Sequence, residues 1–412
     1  MTADVVIVGG GAAGLAAALY AKRAGASVLL LEHNEKLGKK IYITGKGRCN
    51  VTNLCEQEDF LSHVLRNPRF LYAALAFLPT DGLVRLLHSL GCPTVVERGR
   101  RVFPASQKAS DVTRAFASGL NEQELRLNAW VTGIDVEEGR VTGVRLSGGQ
   151  RLRSRAVIVA TGGLSYPITG STGDGYEFAR ALGHSVTPLS PSLTGFDTED
   201  AWPRALQGLT LKNVALRATW PRKGRFHDQG ELLFTHFGIS GPLALSLSGV
   251  LAGTDPAAAA VSLDLKPALS HAQLQERITR DIREQSRKTL GSLMREYLPA
   301  SMAELFPEIL GLDSQTVMNQ FTARDRDALQ QGFKALPIRL KAARPFKEAV
   351  VTRGGVNVRE VNPSTMASRL VSGLYFAGEV LDVDALTGGF NLQIAFSTGA
   401  LAGHSAAQYV QE

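Results

Sequence analysis

Three glycines and one acidic residue near the amino terminus have the spacing of a nucleotide-phosphate site. Gly9, Gly11 and Gly14 form the pattern G-x-G-x-x-G directly after the apolar run Val5–Val8. Gly9 permits a tight turn, Gly11 lets the backbone approach a pyrophosphate, and Gly14 allows close packing of helix on strand. Glu32 follows about twenty residues later, where an acidic side chain accepts hydrogen bonds from a ribose. The spacing predicts a dinucleotide site, and by itself it does not separate FAD from NAD.

These residues need a strand, a helix and a second strand to position them. The sequence predicts a strand over Asp4–Val8, a helix over Leu15–Ala24 and a second strand over Ser27–Glu32. The first strand is a continuous apolar run, which is typical of a central parallel strand covered on both faces. Because the helix begins at the glycine turn, its free N–H groups and the positive end of its dipole would face the phosphates. A Rossmann-type βαβ unit is therefore predicted.

Short strands follow in the middle of the chain, and the strand and glycine patterns return near its end. The pattern from Glu124 to Ala160 predicts a β-meander that leads into a buried strand. These strands are expected over 125–127, 131–136, 141–146, 151–153 and 156–160. After Pro345 strands and glycines recur, and a small-residue helix over 393–408 closes the chain. The predicted fold class is α/β, with a two-part Rossmann-type domain over 1–190 and 344–412.

The segment between these two parts has a different character and is predicted to be an inserted domain over 191–343. Strand-like segments occur around 211–220 and 231–237, and a charge-rich helical stretch covers about 270–330. We expect mixed β and helical structure, with a β-rich part over about 191–267 and a helical part over about 268–343. The insert is expected to cover the reactive ring of a cofactor and to set substrate choice.

Composition and charge limit the class of protein. A chain of 412 residues with 44% hydrophobic and 20% charged residues is typical of a globular protein of two or three domains. No apolar run approaches the ~20 residues needed to cross a bilayer, and there is no signal-peptide pattern, so a cytoplasmic protein without a membrane span is expected. The net charge of +7 favours polyanions such as nucleic acid, although an ordinary solvated basic surface explains it as well.

Longer motifs spread over nearly the whole chain narrow the family. They are GKK at 38–40, TGKGRCNVTN at 44–53, ATGGLSYP at 160–167, GSTGDG at 170–175, FTHFGISGP at 234–242, GEVLD at 378–382 and GGFNLQ at 388–393. These motifs are similar to those of the BaiN/YhiN-like family of bacterial flavoproteins, and the two-part domain resembles the FAD domain of glutathione-reductase-like flavoproteins. The resemblance implies non-covalent FAD. No second G-x-G-x-x-G follows a strand, so NAD(P)H is expected only as a transient reductant.

The resemblance also implies which residues contact the cofactor. Glu379, with Asp382, is expected near the ribityl chain or pyrophosphate. In the 44–53 loop, Arg48 would contact a phosphate or an anionic substrate, and Asn50 would supply hydrogen bonds. N–H groups after Gly389, at the start of the last helix, would face the flavin N1 and C2 carbonyl. The expected contacts are Gly9, Gly11, Ala12, Ala13, Gly14, Glu32, His33, Lys40, Gly45, Arg48, Cys49, Asn50, Val131, Ala160, Thr161, Gly162, Gly378, Glu379, Asp382, Gly389, Asn391, Leu392 and Gln393.

Three residues are candidate catalytic groups. Cys49 could donate or accept the proton that accompanies hydride transfer, or it could be a small buried residue that packs its loop. His236, set among apolar residues, could act from the inserted domain as an acid, a base or a substrate contact, or it could be a structural hydrogen bonder. Tyr166 could pack on flavin or substrate. The Cys and His residues show no metal-ligand spacing, so no metal is expected.

The resemblance implies an FAD-dependent oxidoreductase and leaves its reaction open. The first expectation is reduction of a conjugated C=C bond with hydride from NAD(P)H-reduced flavin. The alternatives are reduction of uracil to dihydrouracil in ribosomal RNA, oxidation of a small amine, and a non-enzymatic flavin-binding module. The expected partners are therefore a small-molecule substrate or ribosomal RNA. The sequence does not predict the oligomeric state.

Overall fold

The computed structural model describes residues 3–412, and of Lys46 it describes the backbone only. The chain forms two compact units. The first comprises Met1–Ser192 and Phe346–Glu412, and the second comprises Leu193–Pro345. The boundaries expected from the sequence, 190 and 344, differ from these by two residues. Each unit has its own cluster of buried apolar side chains.

Strands and helices are numbered along the whole chain. The strands of the first unit are β1 (Val5–Val8), β2 (Val28–Leu31), β3 (Thr52–Asn53), β4 (Thr94–Glu97), β5 (Arg101–Pro104), β6 (Leu125–Arg126), β7 (Val131–Glu137), β8 (Arg140–Leu146), β9 (Arg151–Arg153), β10 (Ala156–Val159), β11 (Ser190–Ser192), β19 (Val351–Arg353) and β20 (Leu374–Phe376). Its helices are α1 (Ala12–Arg23), α2 (Lys39–Ile43), α3 (Gln57–Ser62), α4 (Tyr72–Phe77), α5 (Thr80–Ser89), α6 (Ala109–Ala117), α7 (Asp174–Ala181) and α14 (Phe390–Gln411).

A parallel sheet with the strand order β20-β10-β1-β2-β6 forms the core of the first unit. The central strand β1 pairs with β10 on one side and with β2 on the other, so that Val6 lies between Val157 and Leu29. Every residue of β1, β2, β10 and β20 is buried. Strands covered on both faces read as continuous apolar runs, as the sequence indicated. The α/β fold class with a Rossmann-type core is confirmed.

The β-meander has one strand fewer than the sequence pattern indicated. β7, β8 and β9 form a separate antiparallel sheet. β6 instead pairs in parallel with β2, Leu125 opposite Leu30 and Arg126 opposite Leu31, and forms the edge of the parallel sheet. The prediction that 125–127 belongs to the meander was therefore wrong. A two-residue strand carries too little alternation to show which sheet it joins.

Helices α1 and α14 pack directly against each other. A side chain at Gly399 or Gly403 would overlap the backbone carbonyl of Ala13 or Ala17, so both glycines are required by the close approach. The helix α14 spans 22 residues and extends beyond the predicted 393–408 at both ends. This packing fixes the last helix of the chain to the first.

One segment of the first unit, Pro68–Ser89, is long and apolar enough to cross a membrane by length and composition alone. Half of it is buried inside the unit, and the helix is interrupted at Leu78 and Pro79 between α4 and α5. The Leu78 carbonyl accepts hydrogen bonds from Gln393 and Ser397 of α14. Interior packing of this kind is typical of a core segment of a globular unit.

The second unit contains a seven-stranded sheet with the order β17-β16-β13-β14-β15-β12-β18. Its strands are β12 (Phe196–Thr198), β13 (Thr210–Trp220), β14 (Gly224–Phe234), β15 (Gly238–Ser240), β16 (Ala260–Asp264), β17 (Leu336–Ile338) and β18 (Leu340–Ala343). Its helices are α8 (Trp202–Ala205), α9 (Gly241–Leu251), α10 (His271–Glu284), α11 (Leu290–Tyr297), α12 (Ala300–Ile309) and α13 (Ala323–Ala335).

The expected separation of this unit into a β-rich part and a helical part was wrong in two places. Helix α9 lies in the part expected to be β-rich, and strands β17 and β18 lie in the part expected to be helical. Helix α9 is apolar and buried on most sides, so it shows no amphipathic period that would reveal it. The two strands are short and complete a sheet whose other members are distant in sequence.

Candidate cofactor site

The carboxyl ends of four parallel strands meet at one edge of the sheet in the first unit. Gly9 follows β1, Glu32 follows β2, Ala160 follows β10, and Gly378 lies just after β20. The chain winds from β1 to β2 on one side, whereas β10 lies on the other side of β1. Ligands of open α/β sheets bind at such a switch point. The edge therefore assembles the glycine and acidic residues that the sequence singled out.

Helix α1 begins at this edge with the properties of an anion site. Its N-cap, Gly11, provides no side-chain cap, and the first turn contains no acidic residue, so backbone N–H groups face outward. Gly9 has a φ of +106°, and a side chain at Gly14 would overlap the Gly9 carbonyl. In contrast, a Cβ at Gly11 would meet no atom within 4 Å. This open space between tightly packed neighbours fits the diphosphate of a dinucleotide.

Glu32 is held rigidly beside this turn. Its carboxylate accepts hydrogen bonds from the Gly10 N–H at 2.7 Å, the Asn34 N–H at 2.8 Å and the Asn34 side chain at 2.7 Å. A carboxylate has roughly four acceptor positions, so one remains for a ribose hydroxyl. The predicted role of Glu32 fits this geometry.

An aromatic pair lies next to Glu32. The rings of His33 and Trp130 stack with their centroids 4.8 Å apart. The Ala129 N–H donates to the Glu32 carbonyl at 2.9 Å, which places the start of β7, with the buried Val131, beside the end of β2. His33 and Val131 were among the cofactor contacts expected from the sequence, whereas Trp130 was not. An exposed tryptophan just before the first meander strand was the available signal.

Glu379 is the centre of a hydrogen-bonded network that joins four segments. The Lys40 ammonium lies 2.6 Å from one carboxylate oxygen of Glu379 and also donates to the Ser165 hydroxyl. The other oxygen accepts from Ser165 at 2.6 Å and from the Thr352 N–H at 2.8 Å. The structure thus brings Lys40 and Glu379 together, as two members of the predicted cofactor set. Ser165 and Thr352 were missed, because single hydroxyl residues carry no distinctive spacing.

Asp382 does not share this network, contrary to the prediction that it assists Glu379. Its buried carboxylate pairs with Arg66 at 2.5 Å and with the Asn67 side chain at 3.3 Å. Asn67 also donates to the Asp382 carbonyl at 2.6 Å. Asp382 therefore anchors the segment 66–67 against the loop that follows β20, and its sequence proximity to Glu379 is misleading.

Arg48 is engaged by protein groups in this conformation. Its guanidinium pairs with Glu97, hydrogen bonds to Gln107 and lies 4.2 Å from the centre of the Phe103 ring. The predicted phosphate or substrate contact would require an anion to replace Glu97. The geometry instead supports a role for Arg48 in fixing the 44–53 loop, which includes Gly45, onto β4 and β5.

The 44–53 loop reaches the start of α14. The Asn53 side chain donates to the Gly388 carbonyl at 3.4 Å. Helix α14 begins with Gly389 as its N-cap, again without a side-chain cap, so its first N–H groups remain available. The side-chain oxygen of Asn50, in this loop, and the hydroxyl of Thr161, next to Gly162, are buried without hydrogen-bond partners among residues 3–412. Such groups cost free energy until a partner arrives.

Two residues of the last motif face the protein rather than the cofactor edge. The Asn391 side-chain amide donates to the Ala385 carbonyl at 2.7 Å and accepts from the Ala385 N–H at 3.0 Å. Gln393 is 0% exposed and hydrogen bonds to Leu78 and Ser397. The prediction that Gln393 contacts the cofactor was wrong, because a residue without accessible surface cannot touch a bound molecule. Leu392, between them, retains accessible surface.

Comparison with known proteins supplies the family. The model of the HI0933-like protein Rossmann domain matches residues 3–405. The chain belongs to this family. A 3-dehydro-bile acid Δ4,6-reductase of Clostridium scindens is 31% identical over 412 residues, covering 98% of each chain. A ribosomal RNA dihydrouridine synthase of Escherichia coli is 29% identical over 398 residues, covering 96% of each chain.

A solved structure supports the same fold. The 3-ketosteroid-Δ4-(5α)-dehydrogenase of Rhodococcus jostii has a TM-score of 0.54 at 16% identity, with 98% of this chain and 97% of that chain covered. This HI0933-like protein is a flavin-dependent oxidoreductase with an FAD-binding Rossmann domain. Three features fit FAD. They are the open space at Gly11, the remaining acceptor position of the Glu32 carboxylate, and the uncapped N-termini of α1 and α14. Among the side chains that the structure describes, no cluster of three or more His, Cys, Asp or Glu residues is placed to hold a metal ion.

Cys49 has the properties of a packing residue in this HI0933-like chain. It is 0% exposed, and burial raises the pKa of its thiol to about 12, although a hydrogen bond with Thr44 opposes this shift. A thiol that contacts flavin or substrate would be accessible in the chain alone. Of the two alternatives for Cys49, the structure supports the small buried residue.

We expect Cys49→Ala to retain FAD and to keep turnover within about twofold of the parent, because a buried neutral thiol moves no proton. Removal of one buried atom should lower the free energy of unfolding by about 1 kcal/mol. Thermal unfolding and steady-state turnover of the FAD-loaded protein measure the two effects. A fall in turnover of about 100-fold or more would assign proton transfer to the thiol.

The other two catalytic candidates lie in different units. Tyr166 is partly buried in the first unit, where burial and the nearby Glu348 raise the pKa of its hydroxyl. His236 lies in the second unit, exposed in the turn between β14 and β15, with its ring edge-on to Phe237 at 5.1 Å. The apolar residues around His236 in the sequence do not bury its side chain, because strand β14 ends at Phe234. The catalytic roles of both residues stay predictions.

Asp384 is a buried acid that the sequence motifs did not single out. One carboxylate oxygen accepts from the Ser192 hydroxyl at 3.3 Å, and the other has no hydrogen-bond partner within the described residues. Burial raises the pKa of Asp384 to about 6, although Arg353 lowers it and Asp382 raises it further. Above this pH the folded protein therefore holds a buried carboxylate whose charge Arg353, Ser192 and Arg66 compensate only in part.

We expect Asp384→Asn to stabilise the protein at high pH only. The folded pKa is raised from 3.8 to about 6, so the favourable protonated state is present below about pH 4 and is lost as the pH rises through 6. The variant should gain about 3 kcal/mol over the parent at pH 8 and almost nothing at pH 4. Thermal unfolding at both pH values tests this. An equal difference at the two pH values would contradict it.

Proposed function

We propose that this protein reduces a carbon–carbon double bond conjugated to a carbonyl group, with NAD(P)H as the transient reductant. The observation that carries the proposal is the uncapped start of α14, which the 44–53 loop reaches through the hydrogen bond from Asn53 to Gly388. The names of both relatives support the same chemistry, since one is called a Δ4,6-reductase and the other a dihydrouridine synthase. Dihydrouridine is uridine whose C5=C6 bond, conjugated to a carbonyl, has been reduced.

The residues of the first unit would bind and orient FAD, which when bound supplies hydride transfer. The N-terminus of α1 would hold the diphosphate, and Glu32 would accept a hydrogen bond from the ribose. Lys40 and Ser165 hold the Glu379 carboxylate in place beside them. The free N–H groups after Gly389 would favour negative charge on the adjacent ring.

The reaction also needs a proton at the carbon next to the carbonyl. Tyr166 is protonated at neutral pH, as tyrosine ordinarily is, so its hydroxyl is a candidate proton donor, although its raised pKa makes it a weaker acid. Cys49 is unsuited to this step because it has no accessible surface. Water is the alternative donor, since the residues around Gly45 and Gly388 retain accessible surface.

Uracil in ribosomal RNA is the second candidate substrate, and the charge of the chain favours it. A net charge of +7 attracts a polyanion and brings no advantage with a neutral enone. A similar chain from Escherichia coli is named for this reaction.

The experiment that tests conjugated C=C reduction is turnover with matched acceptors. The FAD-loaded protein is mixed with NADH or NADPH and an α,β-unsaturated ketone, the saturated ketone, or transcribed ribosomal RNA that lacks dihydrouridine. We expect oxidation of the reductant with the unsaturated ketone or the RNA and a product two hydrogens heavier by mass spectrometry. Turnover with an amine, and with neither unsaturated acceptor, would contradict the proposal.

A further inference from the structure

The hairpin of β13 and β14 has two distinct faces. The two strands pair from Thr210 opposite Leu233 to Trp220 opposite Gly224. One face packs on the core of the second unit through buried residues such as Leu216 and Ala218. Strand β15 pairs with β14 only at Leu233 and Phe234, the last two residues of β14. Within the described chain, the rest of β14 is therefore an exposed edge strand.

The opposite face and the connecting turn carry a cluster of cations. Arg217 lies opposite His227, and Thr219 lies opposite Arg225, so these side chains share the outer face. Arg222 and Lys223 extend the cluster around the turn. We call Arg217, Arg222, Lys223, Arg225 and His227 the basic face.

Most of the charge on the basic face is not neutralised by the protein. Arg217 lies 3.8 Å from the buried Asp264, which also pairs with Lys334 at 2.7 Å. In the described part of the chain, no carboxylate lies within 4.0 Å of the charged groups of Arg222, Lys223 or Arg225. These three cations are therefore available to an external anion.

The turn itself does not explain these residues. Both Arg222 and Lys223 have positive φ, 66° and 63°, in the loop between Trp220 and Gly224. Asn and Gly adopt this conformation at lower cost than Arg and Lys. Two adjacent cations thus occupy positions where the backbone favours other residues. Turn formation therefore does not account for their presence.

We propose that the basic face is a docking surface for the phosphate backbone of RNA. Arg and Lys side chains neutralise phosphates, and the free N–H groups of an edge strand can donate to phosphate oxygens. The inference rests on the proposed ribosomal RNA substrate for the choice of polyanion. The basic face belongs to the second unit and the cofactor residues belong to the first. RNA binding and reduction of the RNA can therefore be lost independently.

The test is RNA binding by the FAD-loaded full chain, measured by fluorescence anisotropy with a labelled ribosomal RNA transcript over a range of salt concentrations. The variant combines Arg222→Asn, Lys223→Gly and Arg225→Thr, which remove three cations and favour the turn and strand. Its control combines Arg283→Gln, Arg287→Gln and Arg324→Gln, which remove three exposed cations elsewhere in the second unit. Retained FAD absorbance and an unchanged or raised Tm show that each variant is folded.

We expect the hairpin variant to bind at least tenfold more weakly and its slope of log K against log salt to fall by about 2, at roughly 0.7 for each lost phosphate contact. The control should bind like the parent. Equal loss in both variants, or no loss in the hairpin variant, overturns the inference. So does aggregation of the hairpin variant with unchanged RNA affinity, because the cations would then only protect an edge strand.

Two further arms separate the possible failures. Binding of the basic face to phosphatidylserine vesicles that RNA does not displace would overturn the inference in favour of a membrane surface. Reduction of the RNA by the hairpin variant at the parent rate and affinity would overturn the docking surface and leave the proposed reaction intact. Tight binding through the basic face without reduction of the RNA would leave the surface intact and remove ribosomal RNA as substrate.

Discussion

Replacement of Gly11 by valine is expected to leave the protein folded and to remove FAD. The backbone at Gly11 is extended, with φ −82° and ψ −168°, and a Cβ there meets no protein atom within 4 Å. Added methyl groups would instead occupy the space in front of the α1 N–H groups, where we expect the diphosphate to bind. We expect FAD affinity to fall about 100-fold, which corresponds to about 3 kcal/mol. Titration of the apoprotein with FAD, followed by flavin fluorescence, measures this.

Two controls separate loss of binding from loss of structure. Gly230→Ala places a Cβ in ordinary contact with Leu243 at 3.6 Å in the second unit, so it should change neither FAD affinity nor Tm. Gly14→Ala overlaps the Gly9 carbonyl and should lower both Tm and FAD affinity. A Gly11→Val protein that binds FAD like the parent would show that the diphosphate lies elsewhere.

Replacement of Lys40 by methionine is expected to give the second large effect. Methionine keeps the apolar stem and removes the ammonium group that lies 2.6 Å from Glu379. The Glu379 carboxylate is 18% exposed and would keep its hydrogen bonds from Ser165 and Thr352, but it would lose the cation that pairs with it. Breaking a pair of this kind costs about 3–4 kcal/mol, and we expect weaker FAD binding as well, since Glu379 adjoins the cofactor residues.

The matched control is Lys22→Met. Lys22 pairs with Glu124 at 2.7 Å, and Glu124 is 18% exposed, as Glu379 is, but the Lys22 side chain is 38% exposed against 23% for Lys40. A surface pair contributes about 0–1 kcal/mol, so this variant should unfold like the parent and keep its FAD. Chemical denaturation and FAD titration of both variants provide the measurement. Equal losses of stability in Lys40→Met and Lys22→Met would show that the lower exposure of the Lys40 pair does not increase its contribution to stability.

The framework of the fold could be predicted from the sequence because its signals are local. The glycine turn, the apolar run of β1 and Glu32 lie within a single βαβ unit, and each has a position-specific physical reason. The pairing partner of β6 and the presence of α9 were not predictable in the same way. A two-residue strand and an all-round buried helix lack the periodicity on which such predictions depend.

The site was predictable as a set of segments and less so as a set of contacts. The motifs placed Lys40 and Glu379 in the same cofactor set, and the structure brings them together. They also included Gln393 and Asp382, whose side chains turn toward Leu78 and Arg66. Sequence spacing shows which segments converge, whereas the direction of each side chain depends on packing by residues distant in the chain.

We propose that the residues at the Gly11 edge would hold FAD, which when bound would supply hydride for reduction of a C=C bond conjugated to a carbonyl. The most direct test of this proposal is anaerobic reoxidation of the pre-reduced protein, followed by flavin absorbance in the absence of air and of nicotinamide. We predict rapid reoxidation by an unsaturated ketone or by ribosomal RNA lacking dihydrouridine, and none by the saturated ketone or by RNA already reduced. Flavin that stays reduced with every unsaturated acceptor, or that is reoxidised equally by the saturated ones, would contradict the account.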